Sequence, residues 1–163
     1  MIPIRDTITA RRTAWIVRAI VAANMLYLWI FGDNVEDRVG HSRFLLLYLG
    51  SGLVAALTQL LMQPHSSLPM IGASGAIAGV LGAYFLFFPG ARIVTLIPLW
   101  WFWRFVELPA FLFLGLWFLL QWLQGMTAIG QVMDLGGVAW WAHVGGFVSG
   151  LVLGFVLRRR PSW

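Results

Sequence analysis

A chain of 163 residues with 60% hydrophobic and only 10% charged content, and a mean hydropathy of +0.83, is not a soluble domain. Ordinary globular chains are about half apolar and about a quarter charged. The net charge of +5 comes from 11 basic residues, all arginine and mostly in loops and tails, which fits topology signals or contact with anionic headgroups and argues against nucleic acid as a partner; cysteine is absent, which excludes disulfides, thiol catalysis and thiolate metal sites.

In chain order, a basic tail (residues 1–14, with Arg5, Arg11 and Arg12) precedes a first apolar segment from Trp15 to Phe31, which carries Arg18 and Asn24. A charged loop from Gly32 to Gly40 leads to the second, Phe44 to Met62, and a short polar turn, Gln63 to Pro69, to the third, Ile71 to Phe88. The stretch from Pro89 to Glu107 contains Pro98 and crowds Trp100, Trp101, Trp103 and Arg104 at its end. Aromatics with arginine fit a segment lying along the headgroups, with a sixth span broken at Pro98 as the alternative. Leu108 to Leu123 is the fourth apolar segment; a glycine-bearing loop from Gly125 to Gly137 separates it from the fifth, Val138 to Leu157, and a basic tail (158–163) follows.

A bilayer core of ~30 Å takes ~20 helical residues to cross, and backbone groups cannot stay unpaired in lipid. The five segments are therefore expected to be helices of an all-α polytopic bundle filling residues 15–157, with the lipid bilayer as its surroundings. Arg38, Arg43, Arg92, Arg104 and Arg158 to Arg160 fall on alternate connections, while the connections at 63–70 and 125–137 hold no arginine. The first set is predicted to be cytoplasmic, which places the C-terminus inside. The same count leaves the arginine-bearing residues 1–14 outside, a conflict that means either that the first segment inserts poorly or that a helix is missing before it. Abundant arginine without lysine or cysteine fits a bacterial inner membrane.

Two polar groups inside the apolar segments bear chemistry. Ser74, within Gly72-Ala73-Ser74-Gly75, stands near the start of its helix; His143, after Ala142, stands about one turn into its own. Both belong toward the external side, at comparable depth. A hydroxyl is a weak nucleophile until a base removes its proton, and histidine suits that task near neutrality. No Asp or Glu falls within the apolar spans, so the pair would work as a dyad, without a buried carboxylate. The Ser74 amide and the Asn24 side chain are candidate donors to an oxyanion. Gly75, Gly79 and Gly82 on one helix, and Gly146, Gly150 and Gly154 on the other, offer small faces that let membrane helices approach closely. Taken singly, each feature has a structural reading: packing glycines, an interfacial histidine, an asparagine bonding between helices. His41, His65 and His143 are scattered with no carboxylate at ligand spacing, so metal binding is not expected.

From Asn24 onward the chain resembles the rhomboid family of intramembrane serine proteases. The resemblance rests on Asn24-Met-Leu-Tyr-Leu-Trp-Ile-Phe-Gly32, Val35-Glu36, Gly40, Arg43-Phe44, Tyr48-Leu49, Gly72-Ala-Ser-Gly-Ala-Ile-Ala-Gly79, Ala142-His-Val-Gly-Gly146 and Gly150, in that order. It implies that Ser74 is the nucleophile, His143 the general base, and Asn24 with the Ser74 amide the oxyanion donors. It also implies transmembrane protein substrates and no cofactor. The family core has six spans with the serine on the fourth, whereas Ser74 falls on the third here, as though the first helix and first loop were absent. The family also has a histidine four residues before the asparagine, where this chain has Ile20. Two functions follow: a serine endopeptidase acting within the membrane, or an inactive relative that holds membrane partners without cutting them. A transporter lacks support, because no charged pair lines the spans.

Overall fold

The computed structural model describes residues 15–64, 73–99, 102–128 and 138–158. Residues 1–14 and 159–163, the turn around His65, Gly72 and Asp134 lie outside those residues. All five apolar segments are helical. The first is α1 (Trp15–Tyr27), which widens into a π-turn over Leu28–Gly32. The others lie in α3 (His41–Met62), α4 (Ser74–Phe87), α5 (Ala110–Ala128) and α6 (Trp140–Leu157). Helices α3, α5 and α6 are long and apolar enough to cross a membrane, while α4 is apolar but only 14 residues long.

Three connections differ from expectation. The charged stretch after Gly32 is not a loop but a short helix, α2 (Asp33–Val39), with Asp33 and Glu36 in its first turn and Arg38 in its last. Those charges complement the helix dipole, and Val35 and Val39 are buried beneath it. Gly40, at φ 89°, then turns the chain into α3, a conformation that costs glycine little. Helix α5 runs past Leu123 to Ala128, into what reads as loop.

The third difference is the stretch after Pro89. It forms an antiparallel hairpin, β1 (Arg92–Leu99) paired with β2 (Phe102–Pro109), and not a sixth span. Ile93, Val94, Thr95, Phe105 and Val106 are β-branched or aromatic residues that favour strands. Pro98 sits opposite Trp103, close to the tip, where a missing ladder bond matters least. At the root, the Ala110 amide donates to Ala91 O (2.7 Å) and the Phe111 amide to Pro89 O (3.1 Å). Arg92 pairs with Glu107 beside it. One face of the hairpin exposes Val94, Leu96, Trp103 and Phe105; on the other, Ile93 packs against the core.

Helix α4 is the centre of the bundle: every residue from Ala76 to Tyr84 is buried. It runs parallel to α6, in a ladder of small residues in which Gly75 meets Gly146, Gly79 meets Gly150 and Ala83 meets Gly154. A Cβ at Gly150 would strike the backbone of Gly79, and one at Gly82 the carbonyl of Phe147. Lipid tails are as apolar as leucine, so close packing of this kind, rather than hydrophobic burial, holds membrane helices together. Helix α3 crosses both in the opposite sense: Ala55 lies at Gly75, Ser51 at Gly79 and Thr58 at Gly145. Helix α5 runs antiparallel to α6, with Phe118 stacked on Phe147 and Gly125 against the Trp141 ring. The C-terminal end of the first segment closes the fourth side, where Phe31 meets Tyr84 edge-on at 4.9 Å. Outward faces of α3 and α5 are rows of exposed leucines, such as Leu53, Leu57, Leu116 and Leu119.

Candidate active site

Ser74 is the first residue of α4. The helix carries no side-chain cap, and the Ile77 amide is the first to bond back, to Ala73 O. The amides of Ser74, Gly75 and Ala76 therefore have no partner within the helix, and their dipoles make this end electropositive. The depth of Ser74 follows from the length of α4. Its far end is flush with the arginine-bearing end of the bundle: Arg38 lies over the Phe88 ring, and Phe87 packs at Gly154, one turn before Arg158. Fourteen residues rise about 21 Å. Set against a ~30 Å hydrocarbon core, a helix of that length starting flush with one surface falls roughly 9 Å short of the other.

His143 is the fourth residue of α6, and the parallel ladder brings it level with the serine. Nε2 of His143 lies 3.0 Å from Ser74 Oγ, and Nδ1 lies 3.0 Å from Oε1 of Gln121 on α5. The Trp117 ring, one turn before Gln121, stands 5.8 Å from the imidazole, centre to centre. The backbone beneath the histidine is tied down separately. The Ala142 amide, an orphan donor in the first turn of α6, bonds to Oε1 of buried Gln59 on α3 (3.1 Å). Gln59 Nε2 donates to Gln63 Oε1, and Gln63 Nε2 to the Ala128 carbonyl at the end of α5. The Trp141 indole N–H donates to Gly125 O. Helices α3 and α5 thus hold the histidine and its backbone in place beside the serine hydroxyl on α4, a geometry compatible with a nucleophile and its base.

Of the other residues named from sequence, Gly75, Gly79, Gly146 and Gly150 stand in the α4–α6 ladder, and Gly72 lies outside the described residues. Asn24 is on α1, where its Nδ2 donates to the Ile20 carbonyl one turn back (2.7 Å). Gln59, Gln121 and Trp117 were not singled out from sequence. The signal was present: a glutamine in an apolar span is costly unless something inside bonds it.

Comparison with known proteins bears on this geometry. A family model for the rhomboid domain matches residues 20–160. The chain belongs to the rhomboid family. Rhomboid relatives include Rhomboid protein 1, mitochondrial, of Saccharomyces cerevisiae, 30% identical over 140 residues, which cover 83% of this chain and 37% of the yeast protein. RHOMBOID-like protein 1 of Arabidopsis thaliana is 33% identical over 145 residues, 88% of this chain and 32% of that protein. Rhomboid protease GluP of Bacillus subtilis is 45% identical over 65 residues, 40% of this chain and 12% of that protein. The chain thus spans well under half the length of these rhomboid proteins, and no solved structure matches it. Membership, together with the three membrane-length helices, makes this an integral, multi-pass membrane protein with a helical rhomboid bundle.

Proposed function

We propose that this rhomboid is an intramembrane serine endopeptidase that cleaves transmembrane or membrane-proximal segments of other proteins. The observation that carries the reading is the 3.0 Å contact between Ser74 Oγ and His143 Nε2. In the proposed reaction Nε2 takes the hydroxyl proton as Oγ attacks the scissile carbonyl. The resulting oxyanion is met by the Ser74 amide at the uncapped start of α4. His143 returns the proton to the departing amine, and water then releases the acyl group by the same steps in reverse order. The recessed serine suits a substrate that enters from the bilayer, since the bond it attacks must reach that depth. The arginine distribution supports a cytoplasmic C-terminus, and the composition a bacterial inner membrane.

The test is labelling of detergent-solubilised protein with a fluorophosphonate probe. Wild type is expected to be labelled and Ser74→Ala to be blank; folded wild type that stays unlabelled overturns the reading. A second reading, a rhomboid relative that binds membrane partners without cutting them, is favoured by one observation. The Asn24 amide, which the family resemblance makes an oxyanion donor, bonds to its own helix at Ile20, the position where the family carries histidine. Co-purification of partners that survives Ser74→Ala, from protein that the probe does not label, would mark this second function.

A further inference from the structure

Dyad chemistry leaves Nδ1 of the histidine without an assigned partner, and in this chain Nδ1 has one. Gln121 stands on α5, a helix that presents leucine and tryptophan to nearly everything else, yet its side chain is buried at 8% relative exposure. Its Oε1 lies 3.0 Å from Nδ1. With the Gln121 oxygen rather than its NH2 turned to the ring, the contact places the proton on Nδ1 and leaves a lone pair on Nε2. That is the one neutral tautomer able to take a proton from Ser74. No carboxylate competes for the ring: among the described residues α3, α4, α5 and α6 contain no Asp or Glu, and Asp33, Glu36, Asp37 and Glu107 lie on α2 and β2. Trp117 restrains the ring from the same helix. The Gln59 bond holds the Ala142 backbone and leaves the ring free to choose its tautomer.

We infer that Gln121 is a positioning residue that fixes His143 in the Nδ1–H tautomer and aims Nε2 at Ser74, making a neutral third member of the constellation. This rests on the reading of Ser74 and His143 as nucleophile and base. A neutral acceptor fills the orienting role with a single hydrogen bond and places no charge at membrane depth, where an unpaired carboxylate would be costly.

Two readouts on the full chain test it, in wild type, Gln121→Met, which keeps the bulk and loses the acceptor, and Gln121→Glu, which restores an acceptor oxygen. The first is the imidazole nitrogen NMR spectrum of protein labelled at histidine. The chain has three histidines, and His143→Ala assigns the signal. The second is the rate of fluorophosphonate labelling. Expected are an Nδ1–H tautomer in wild type and in Gln121→Glu and a mixture in Gln121→Met. The Met variant should label on the order of 10-fold more slowly, the effect of one neutral hydrogen bond, and Glu should recover most of that loss. Elution and melting like wild type confirm that the Met variant is folded. An Nε2–H tautomer in wild type overturns the inference. So does a Met variant with the wild-type tautomer and rate, or a Glu variant as slow as Met with its tautomer equally mixed. The spectrum judges Gln121 even without catalysis: unlabelled wild type with a tautomer that Gln121→Met releases sinks the protease reading and leaves the tautomer assignment standing.

Discussion

Ser51 on α3 is fully buried against Gly79, and its hydroxyl is the one buried side-chain polar atom among the described residues without a hydrogen-bond partner. A lone hydroxyl lost its water without gaining a bond. Ser51→Ala is therefore expected to stabilise the fold by up to about 1 kcal/mol, read as a higher midpoint of thermal unfolding in detergent; a lower midpoint would show that the hydroxyl has a partner after all. Buried Gln59 and Gln121 present the opposite case, with partners 83 and 22 residues away in sequence. Ser74 and His143 could be singled out from sequence because a nucleophile and a base are few in such a chain and stand in small-residue contexts. The glutamines carry a weaker signal: a neutral amide among leucines implies a buried bond, but its partner is visible only once another helix is seen to need it.

At the scale of elements, the α4–α6 ladder makes a prediction with an internal control. Gly150→Val would drive a side chain into the Gly79 backbone, which cannot move aside. Overpacking of this kind typically costs about 1–3 kcal/mol. The expected outcome is a lowered unfolding midpoint together with lost fluorophosphonate labelling, because the serine and histidine helices are forced apart. Gly90→Ala, with nothing within 4 Å of its added carbon, should change neither. Labelling retained in Gly150→Val would mean that the two helices need not touch for the pair to react. The helical segments and their small faces were readable because lipid permits few backbone solutions. The hairpin was not: a short apolar run does not distinguish strand from helix by periodicity, and its tryptophans and arginines report an environment and not a conformation. Helix α2 was readable in principle from Asp33, Glu36 and Arg38, whose order along the chain matches the helix dipole.

For the whole molecule, absence of cysteine gives a clean background for orientation. Single cysteines introduced as Ser66→Cys and Ser162→Cys should react differently with a membrane-impermeant maleimide: the first in intact cells, the second only after permeabilisation. The reverse pattern would invert the arrangement that the arginines predict. Within that frame the ladder has a further consequence, because its spacing repeats. Gly146 and Gly150 stand one turn apart, as do Gly75 and Gly79, so α6 displaced along α4 by a turn would again find small residues facing it. Such a slip, about 5.4 Å, would preserve the tight packing and carry His143 out of reach of Ser74. A slip by one turn would still pair two of the three rungs, so the ladder alone discriminates weakly between settings. Bonds at the two ends of α6 tie it to its other neighbours and resist such a slip: Gln59 on the Ala142 amide and the Trp141 indole on Gly125 at one, the Arg43 guanidinium on the Leu157 carbonyl at the other. Should these few hydrogen bonds index the two helices, Arg43→Ala, at the opposite face of the membrane domain, would loosen the 3.0 Å contact between Ser74 Oγ and His143 Nε2.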